Sequence, residues 1–285
     1  MTDFKSIFEK KTEEERIAKR MARAGLCSRR DAEKWILAKR VVVDGVTIDT
    51  PAVKVNNDSS IIIDGKEIPT KEAPRLWRYH KPTAQITSNR DVRGRQTVFE
   101  NLPKDIPRVV SVGRLDYDSE GLLLLTNDGE LARLLELPST AWIRRYRVRV
   151  YGRPQAQSLE RLSKGVTLDG VKYGAIDATL DKQGPSNAWL TIGLREGKNR
   201  EVRKLLESIE LKVMRLIRVS FGPFQLGNLE AGNIEEIKQR NLKEQLGIID
   251  GTVPNYGTAE SKKRNLLKTK DKKRNADRSR SPSRR

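Results

Sequence analysis

The residues predict a mixed chain of strands and helices, α/β or α+β, in which a small basic N-terminal module precedes a larger domain. Three observations carry this. Leu122-Leu123-Leu124-Leu125 is bounded by Gly121 on one side and Asn127-Asp128-Gly129 on the other, the mark of a short strand buried on both faces. Segments with a two-residue apolar period are interspersed with segments of helical period. The length of 285 residues allows two domains and tails, but 36% hydrophobic and 5% aromatic content restrict the packing to one modest core, one small satellite core and loose ends.

Charge narrows the class of partner. A net charge of +19 is more than solubility requires and points to a polyanion. No apolar run approaches a membrane span, and Met1-Thr2-Asp3-Phe4-Lys5 lacks an apolar signal core. The lone Cys27 cannot form an internal disulfide. A cytoplasmic protein without membrane contact is expected. His80 and Cys27 cannot supply a usual zinc site, and no phosphate-binding glycine motif occurs, so neither metal nor cofactor is expected.

In chain order, residues 1–14 are expected to be flexible. Helical spacing begins near Glu13, with Ile17, Met21 and Ala24 on one face and Gly25 as the stop. Ser28 and Asp31 resemble a capping box for a helix from Arg29 to about Ala38. Val41–Val43 and Ile61–Ile63 each run into an Asp-Gly pair and predict two hairpins. Between residues 16 and 40 stand nine cations, Arg16, Lys19, Arg20, Arg23, Arg29, Arg30, Lys34, Lys39 and Arg40, against Asp31 and Glu33. That one-signed excess makes a compact surface for phosphates. Ala22-Arg23-Ala24-Gly25-Leu26-Cys27-Ser28-Arg29-Arg30 with Val43-Asp44-Gly45 resembles the S4 RNA-binding domain, and a module over residues 15–72 is expected.

A linker follows at 69–75. Leu76–Tyr79 reads as a strand ended by Lys81-Pro82. Asn89–Gln96, with Arg90, Arg93 and Arg95, is either an RNA-contacting arm or an exposed loop. Val109–Val112 leads into Gly113-Arg114-Leu115-Asp116-Tyr117-Asp118-Ser119-Glu120-Gly121. Carboxylates tethered to so buried a strand are either salt-bridged or used. Thr126 to Asp128 are good caps for a helix Glu130–Leu135. In Ile143–Val150, Tyr146, Val148 and Val150 point one way and Arg145, Arg147 and Arg149 the other. Gln155–Lys164 reads as a helix, Ala175–Leu180 and Trp189–Leu194 as strands. In the next helix Val202, Leu205, Leu206 and Ile209 share a face opposite Arg200, Arg203 and Lys204. Val213–Val219 is a strand, and Ile234, Ile237, Leu242 and Leu246 predict a final loop and helix. Residues 257–285 hold twelve Lys/Arg against three Asp/Glu, too little apolar content to offset ordering entropy, so a disordered basic tail is expected.

The pattern Gly113-Arg114-Leu115-Asp116, two residues, Ser119, one residue, Gly121, an aliphatic run, then Thr126-Asn127 closely resembles a signature of the bacterial ribosomal RNA pseudouridine synthases. The group concerned holds the A-type enzyme of the small ribosomal particle together with the B, E and F types of the large one. Glu196-Gly197-Lys198-Asn199-Arg200-Glu201-Val202-Arg203 resembles a further motif of that family. The resemblance implies an α+β catalytic domain over residues 75–250 with a mixed, largely antiparallel sheet and a central cleft. It implies that a uridine in folded RNA becomes pseudouridine, with Asp116 as catalytic carboxylate, Tyr146 stacking on the target base and Arg203 pairing with Asp116, Arg114 being a weaker candidate. The carboxylate would attack ribose C1′, attack uracil C6 or promote a glycal path. The base must leave its stack to be reached.

Arg114, Lys198, Arg200 and Arg95 are expected on RNA. Lys198 replaces the commoner arginine, and Glu210 stands where a glycine is expected, so that turn should differ. Arg95-Gln96-Thr97-Val98-Phe99 is most similar to the B-type branch. It implies 23S ribosomal RNA near the peptidyl-transferase region rather than 16S, as naked RNA or in a pre-ribosomal particle, acted on by a monomer. The competing readings are a non-catalytic ribosome-assembly protein and, more weakly, a glycosidase using Asp116 and Asp118.

Overall fold

The computed structural model describes residues 4–8, 14–70, 72–89 and 91–248. The tail at 257–285 and Arg90 lie outside the described residues, as do parts of the N-terminal segment. A helical turn α1 (Lys5–Phe8) opens the chain. The N-terminal module holds β1 (Glu15–Arg16), α2 (Ile17–Arg23), α3 (Arg29–Leu37), β2 (Val41–Val43), β3 (Val46–Ile48), β4 (Lys54–Val55), β5 (Ile61–Ile63) and β6 (Lys66–Glu67). The larger domain follows with β7 (Leu76–Lys81), β8 (Val110–Val112), β9 (Glu120–Thr126), α4 (Gly129–Glu136), β10 (Arg144–Tyr151), α5 (Ala156–Leu162), β11 (Val166–Leu168), β12 (Val171–Tyr173), β13 (Asp177–Gln183), β14 (Asn187–Leu194), α6 (Glu201–Glu207), β15 (Lys212–Phe221), β16 (Phe224–Gln225), β17 (Ile234–Glu236) and α7 (Gln239–Gln245).

The module forms as its sequence predicts. Ser28 caps α3: its Oγ accepts from the Asp31 N–H at 3.1 Å and donates to Asp31 Oδ2 at 2.6 Å. The two Asp-Gly pairs turn with positive φ at Asp44, Gly45, Asp64 and Gly65, the geometry of tight hairpins. The hairpins then join through their first strands, Val41 against Ile63 and Val43 against Ile61, in the order β3-β2-β5-β6. Ile17, Met21, Ala32 and Ile36 of the helices pack on Val41 and Ile61 of this sheet.

A nine-stranded sheet organises the larger domain, with the path β13-β14-β10-β15-β9-β7-β17 and with β16 on β15 and β8 on β9. β15 pairs with β9 in parallel, Ile217 with Glu120 and Arg218 with Gly121; the other pairings among its described strands are antiparallel. The predicted two-faced burial of the leucine strand holds. Leu122 and Leu124 face a core closed by α4 and α7, while Leu123 and Leu125 face a second one closed by α5 and α6. Each fully buried leucine contributes about 1.5–3 kcal/mol, so β9 is the fixed spine of the domain. The molecule thus has two cores across the sheet and a third in the module, where composition predicts one and a satellite. The close approach of β9 to β15 depends on Gly121: at φ +105° a Cβ there would lie 2.6 Å from the Arg218 backbone nitrogen.

The N-terminal segment departs from expectation. Phe4 and Ile7 are buried in the core with α7, and Phe4 stacks on Trp142 with ring centroids 5.7 Å apart. Two apolar residues suffice to order this turn because an open aromatic face receives them. β17 and the β11–β12 hairpin are further elements without a sequence forecast. Glu210 takes φ +62°, so the turn keeps the left-handed shape a glycine would give it.

Candidate active site

The loop ahead of β9 is pinned from three sides. Thr87 Oγ1 donates to the Leu115 carbonyl at 2.9 Å, Ala84 N–H donates to the Tyr117 carbonyl at 2.8 Å, and Lys81 Nζ donates to the Ser119 carbonyl at 2.8 Å. Within the loop, Ser119 N–H donates back to the Asp116 carbonyl at 3.1 Å. Leu115 is buried in the core, which turns the neighbouring Asp116 outward into a cleft. Lys81 is fully buried. Burial pushes its ammonium down to about 8, opposed by Asp116, Asp118 and Glu120. Its sequence position marks only the end of a strand, and Arg78 and His80 in the same strand leave the sequence without a signal that sets Lys81 apart.

The cleft is lined by Arg114, Asp116, Arg144, Tyr146, Lys198, Arg200 and Arg218, with Phe221 at its base. Tyr146 comes from β10, whose inward Tyr146, Val148 and Val150 and outward Arg147 and Arg149 follow the predicted alternation. Opposite Arg145 and Tyr146 a β-bulge leaves Val219 of β15 unpaired and bends β15 beside the cleft. Asp116 and Tyr146 line the same cleft. The expected pairing of Arg203 with Asp116 does not form. Arg203 Nη2 lies 2.9 Å from the Asp118 carbonyl and 3.2 Å from Asp118 Oδ2. Arg203 is also buried rather than on an exposed face, because α6 turns that side toward the loop. Arg200 Nη1 approaches Asp116 Oδ2 at 4.0 Å and Asp118 Oδ1 at 3.2 Å.

The expected RNA contacts divide. Arg114 and Arg200 are exposed on the cleft rim. Lys198 lines the cleft, but its ammonium turns to the Lys172 carbonyl at 2.6 Å and to Glu196. Glu201 beside it is buried, which raises its carboxyl above the usual range. Arg95 pairs with Asp91 at 2.9 Å and covers the Tyr117 ring at 5.9 Å, so the polar arm reaches the signature loop.

Comparison with known proteins identifies the family. Residues 75–208 match the family model described as RNA pseudouridylate synthase, and residues 15–61 match the S4 domain. An RNA pseudouridine synthase of Rickettsia felis is 47% identical over 230 residues, covering 81% of this chain and 100% of that one. The chain belongs to the RNA pseudouridine synthase family. The ribosomal large subunit pseudouridine synthase B of Pseudomonas aeruginosa is 40% identical over 260 residues, covering 87% of this chain and 67% of its own. A crystal structure of a pseudouridylate synthase shares the fold with a TM-score of 0.56 at 23% identity, over 80% of this chain and 98% of that one. The protein is an isomerase acting on RNA, with an S4 domain ahead of an α+β catalytic domain.

In this synthase the S4 cations also divide. Arg16, Arg29, Arg30 and Lys34 are exposed. Arg29, Arg30 and Lys34 line a groove shared with Arg108 and Arg133 of the catalytic domain. Lys19, Arg20 and Arg23 are engaged by acids instead. Arg23 reaches Glu15 at 2.8 Å and Asp128 at 3.7 Å, Lys19 pairs with Glu130, and Arg20 reaches Glu15 at 3.7 Å. The pairs with Asp128 and Glu130 join the S4 helix to the start of α4. No described group of His, Cys, Asp and Glu could hold a metal ion, and no described helix is long and apolar enough to cross a membrane.

Proposed function

We propose that this synthase isomerises a uridine of 23S ribosomal RNA in the peptidyl-transferase region, with Asp116 as the working carboxylate. The observation that carries the reading is the meeting of Asp116, Tyr146 and Arg200 in one cationic cleft. Asp118 is committed to two arginines, which leaves Asp116 the carboxylate free to react. The target base leaves its stack and lies on Tyr146, whose hydroxyl assists proton loss from C5. Arg200 supplies the counter-charge that lets an ionised Asp116 act on the sugar or the base. Asp118 holds Arg203, and through it the loop is fixed to α6.

For the substrate, support comes from the likeness to relatives named ribosomal large subunit pseudouridine synthase B and from the Arg95–Phe99 run. The exposed S4 cations and the basic tail at 257–285 bind RNA phosphates without sequence preference. The protein acts as a monomer in the cytoplasm, on naked RNA or an assembly particle. Purified protein is incubated separately with unmodified 16S and 23S transcripts, and pseudouridine is mapped in each. Modification of 23S alone is expected; modification of 16S alone overturns the substrate and leaves the chemistry standing.

A further inference from the structure

Arg218 stands in β15 between the two strands that build the site. It is the register partner of Tyr146 on one side and of Gly121, at the end of the signature loop, on the other. It is 2% exposed, yet it lines the cleft. Its Nε donates to the Leu122 carbonyl at 2.7 Å, which fixes the guanidinium plane to the buried strand. Its Nη2 is buried and has no hydrogen-bond partner, and no carboxylate among the described residues forms an ion pair with it. The guanidinium lies 5.4 Å from the Phe221 ring centroid, and Arg144 lies 4.8 Å from the same ring. Arg144 directs its Nη1 to the Trp142 and Arg195 carbonyls, at 3.3 and 2.6 Å. Burial, joined by the Arg218 charge, pushes the Arg144 guanidinium below its usual value. A buried cation with an idle donor is costly in the free protein. It becomes useful when an acceptor enters the cleft.

We propose that Arg218 donates to a carbonyl oxygen of the target uracil and stabilises the negative charge the base acquires during the reaction. The inference rests on the uridine-isomerising reading of the cleft. When the N1–C1′ bond breaks, its electron pair stays with the base and spreads over N1, O2 and O4. C1′ either bonds to an Asp116 oxygen or the sugar becomes a glycal as C2′ gives its proton to that carboxylate. C5 then bonds to C1′; the carboxylate leaves or the proton returns to C2′, C5 releases its proton and N1 gains one. Addition of the carboxylate to C6 instead loads the charge onto O4. Each route therefore asks for a donor at the carbonyl edge. A base lying on Tyr146 presents that edge to the residue across the strand pair. The phosphates of the strand would run on the solvent side, where Arg114 and Arg200 are exposed, rather than at the sheet floor.

The test compares wild type, Arg218→Gln and Arg218→Lys on 23S transcript and on the same transcript made with 5-fluorouridine. The rate of C-glycoside formation is measured under single-turnover conditions by nuclease digestion and mass spectrometry. Fluorine stabilises the departing base by itself. Arg218→Gln should lose roughly 100-fold or more on the uridine transcript, the scale of a lost oxyanion donor. It should lose less on the fluorinated one. Arg218→Lys should recover part of the rate, and the slope of log affinity against log salt should not change. Equal losses on both transcripts overturn the proposal. So does an unchanged rate, or a salt slope reduced by about one, which is the mark of a phosphate contact. The ratio between transcripts is taken on one preparation, so partial misfolding cancels. Wild-type turnover of 23S transcript tests the assigned function separately; where only 16S is turned over, the same comparison is made on 16S.

Discussion

Arg203 holds Asp118 by main chain and side chain at once, with Nη2 2.9 Å from its carbonyl oxygen and 3.2 Å from Oδ2. The two aspartates of the signature loop are thereby given different work. Asp118 ties the loop to α6, and Asp116 faces the cleft with Arg200 at 4.0 Å.

Asp116→Asn should therefore abolish turnover, by ~10⁴-fold if the loss matches that of other enzymes stripped of a reacting group. The change is nearly isosteric, so RNA affinity and the thermal midpoint should stay close to wild type. Pseudouridine formation by the purified variant at a normal rate would remove Asp116 from the mechanism.

Asp118→Ala should behave differently. Arg203 is buried and keeps only the backbone half of its contact, so stability should fall by about 1–2 kcal/mol in urea titrations. Turnover should persist, slowed rather than abolished. A dead but fully stable Asp118→Ala protein would reverse the roles of the two carboxylates.

Lys81 makes stability depend on pH in a definite direction. Its folded pKa of about 8 lies below the ordinary lysine value of 10.5. Folding must then hold a charge that burial disfavours at all pH values below both. This penalty fades as pH rises from 8 to 10.5 and the unfolded chain alone stays protonated. Relative to Lys81→Met, the wild type should gain stability across that window. A difference between the two proteins that is flat from about pH 7.5 to 10.5 would contradict the burial of a charged Lys81.

Glu210 holds a left-handed backbone at φ +62° with no requirement for its exposed side chain. Glu210→Gly should raise stability by about 1 kcal/mol, the cost of that conformation for an ordinary residue. A lower urea midpoint for the variant would show that the side chain contributes more than the strain removes.

Much of this architecture was legible because local chemistry and tertiary need agree. The leucine run needs two cores and has them; Ser28 has Asp31 where a cap requires it; the alternation through Tyr146 matches a strand with one wet face. What escaped lies where tertiary context decides alone. β17 is three residues long with two glutamates, and it pairs with β7 because Arg78 and Arg75 receive Glu235 and Glu236. The partner of Arg203 is settled by the turn of the loop over α6, which spacing does not reveal. Lys81 and Arg218 are cations on strands whose neighbours look like ordinary core.

The docking of Phe4 and Ile7 has a further consequence for the order of folding. Their neighbours Phe221, Phe224, Leu242 and Leu246 belong to the last-made part of the described residues. A ribosome releases Phe4 long before it supplies those partners, so the opening turn must wait, solvated, until nearly the whole sequence has emerged. Its closure joins the first and last described elements by contacts of very large sequence separation, the kind that are slow to form.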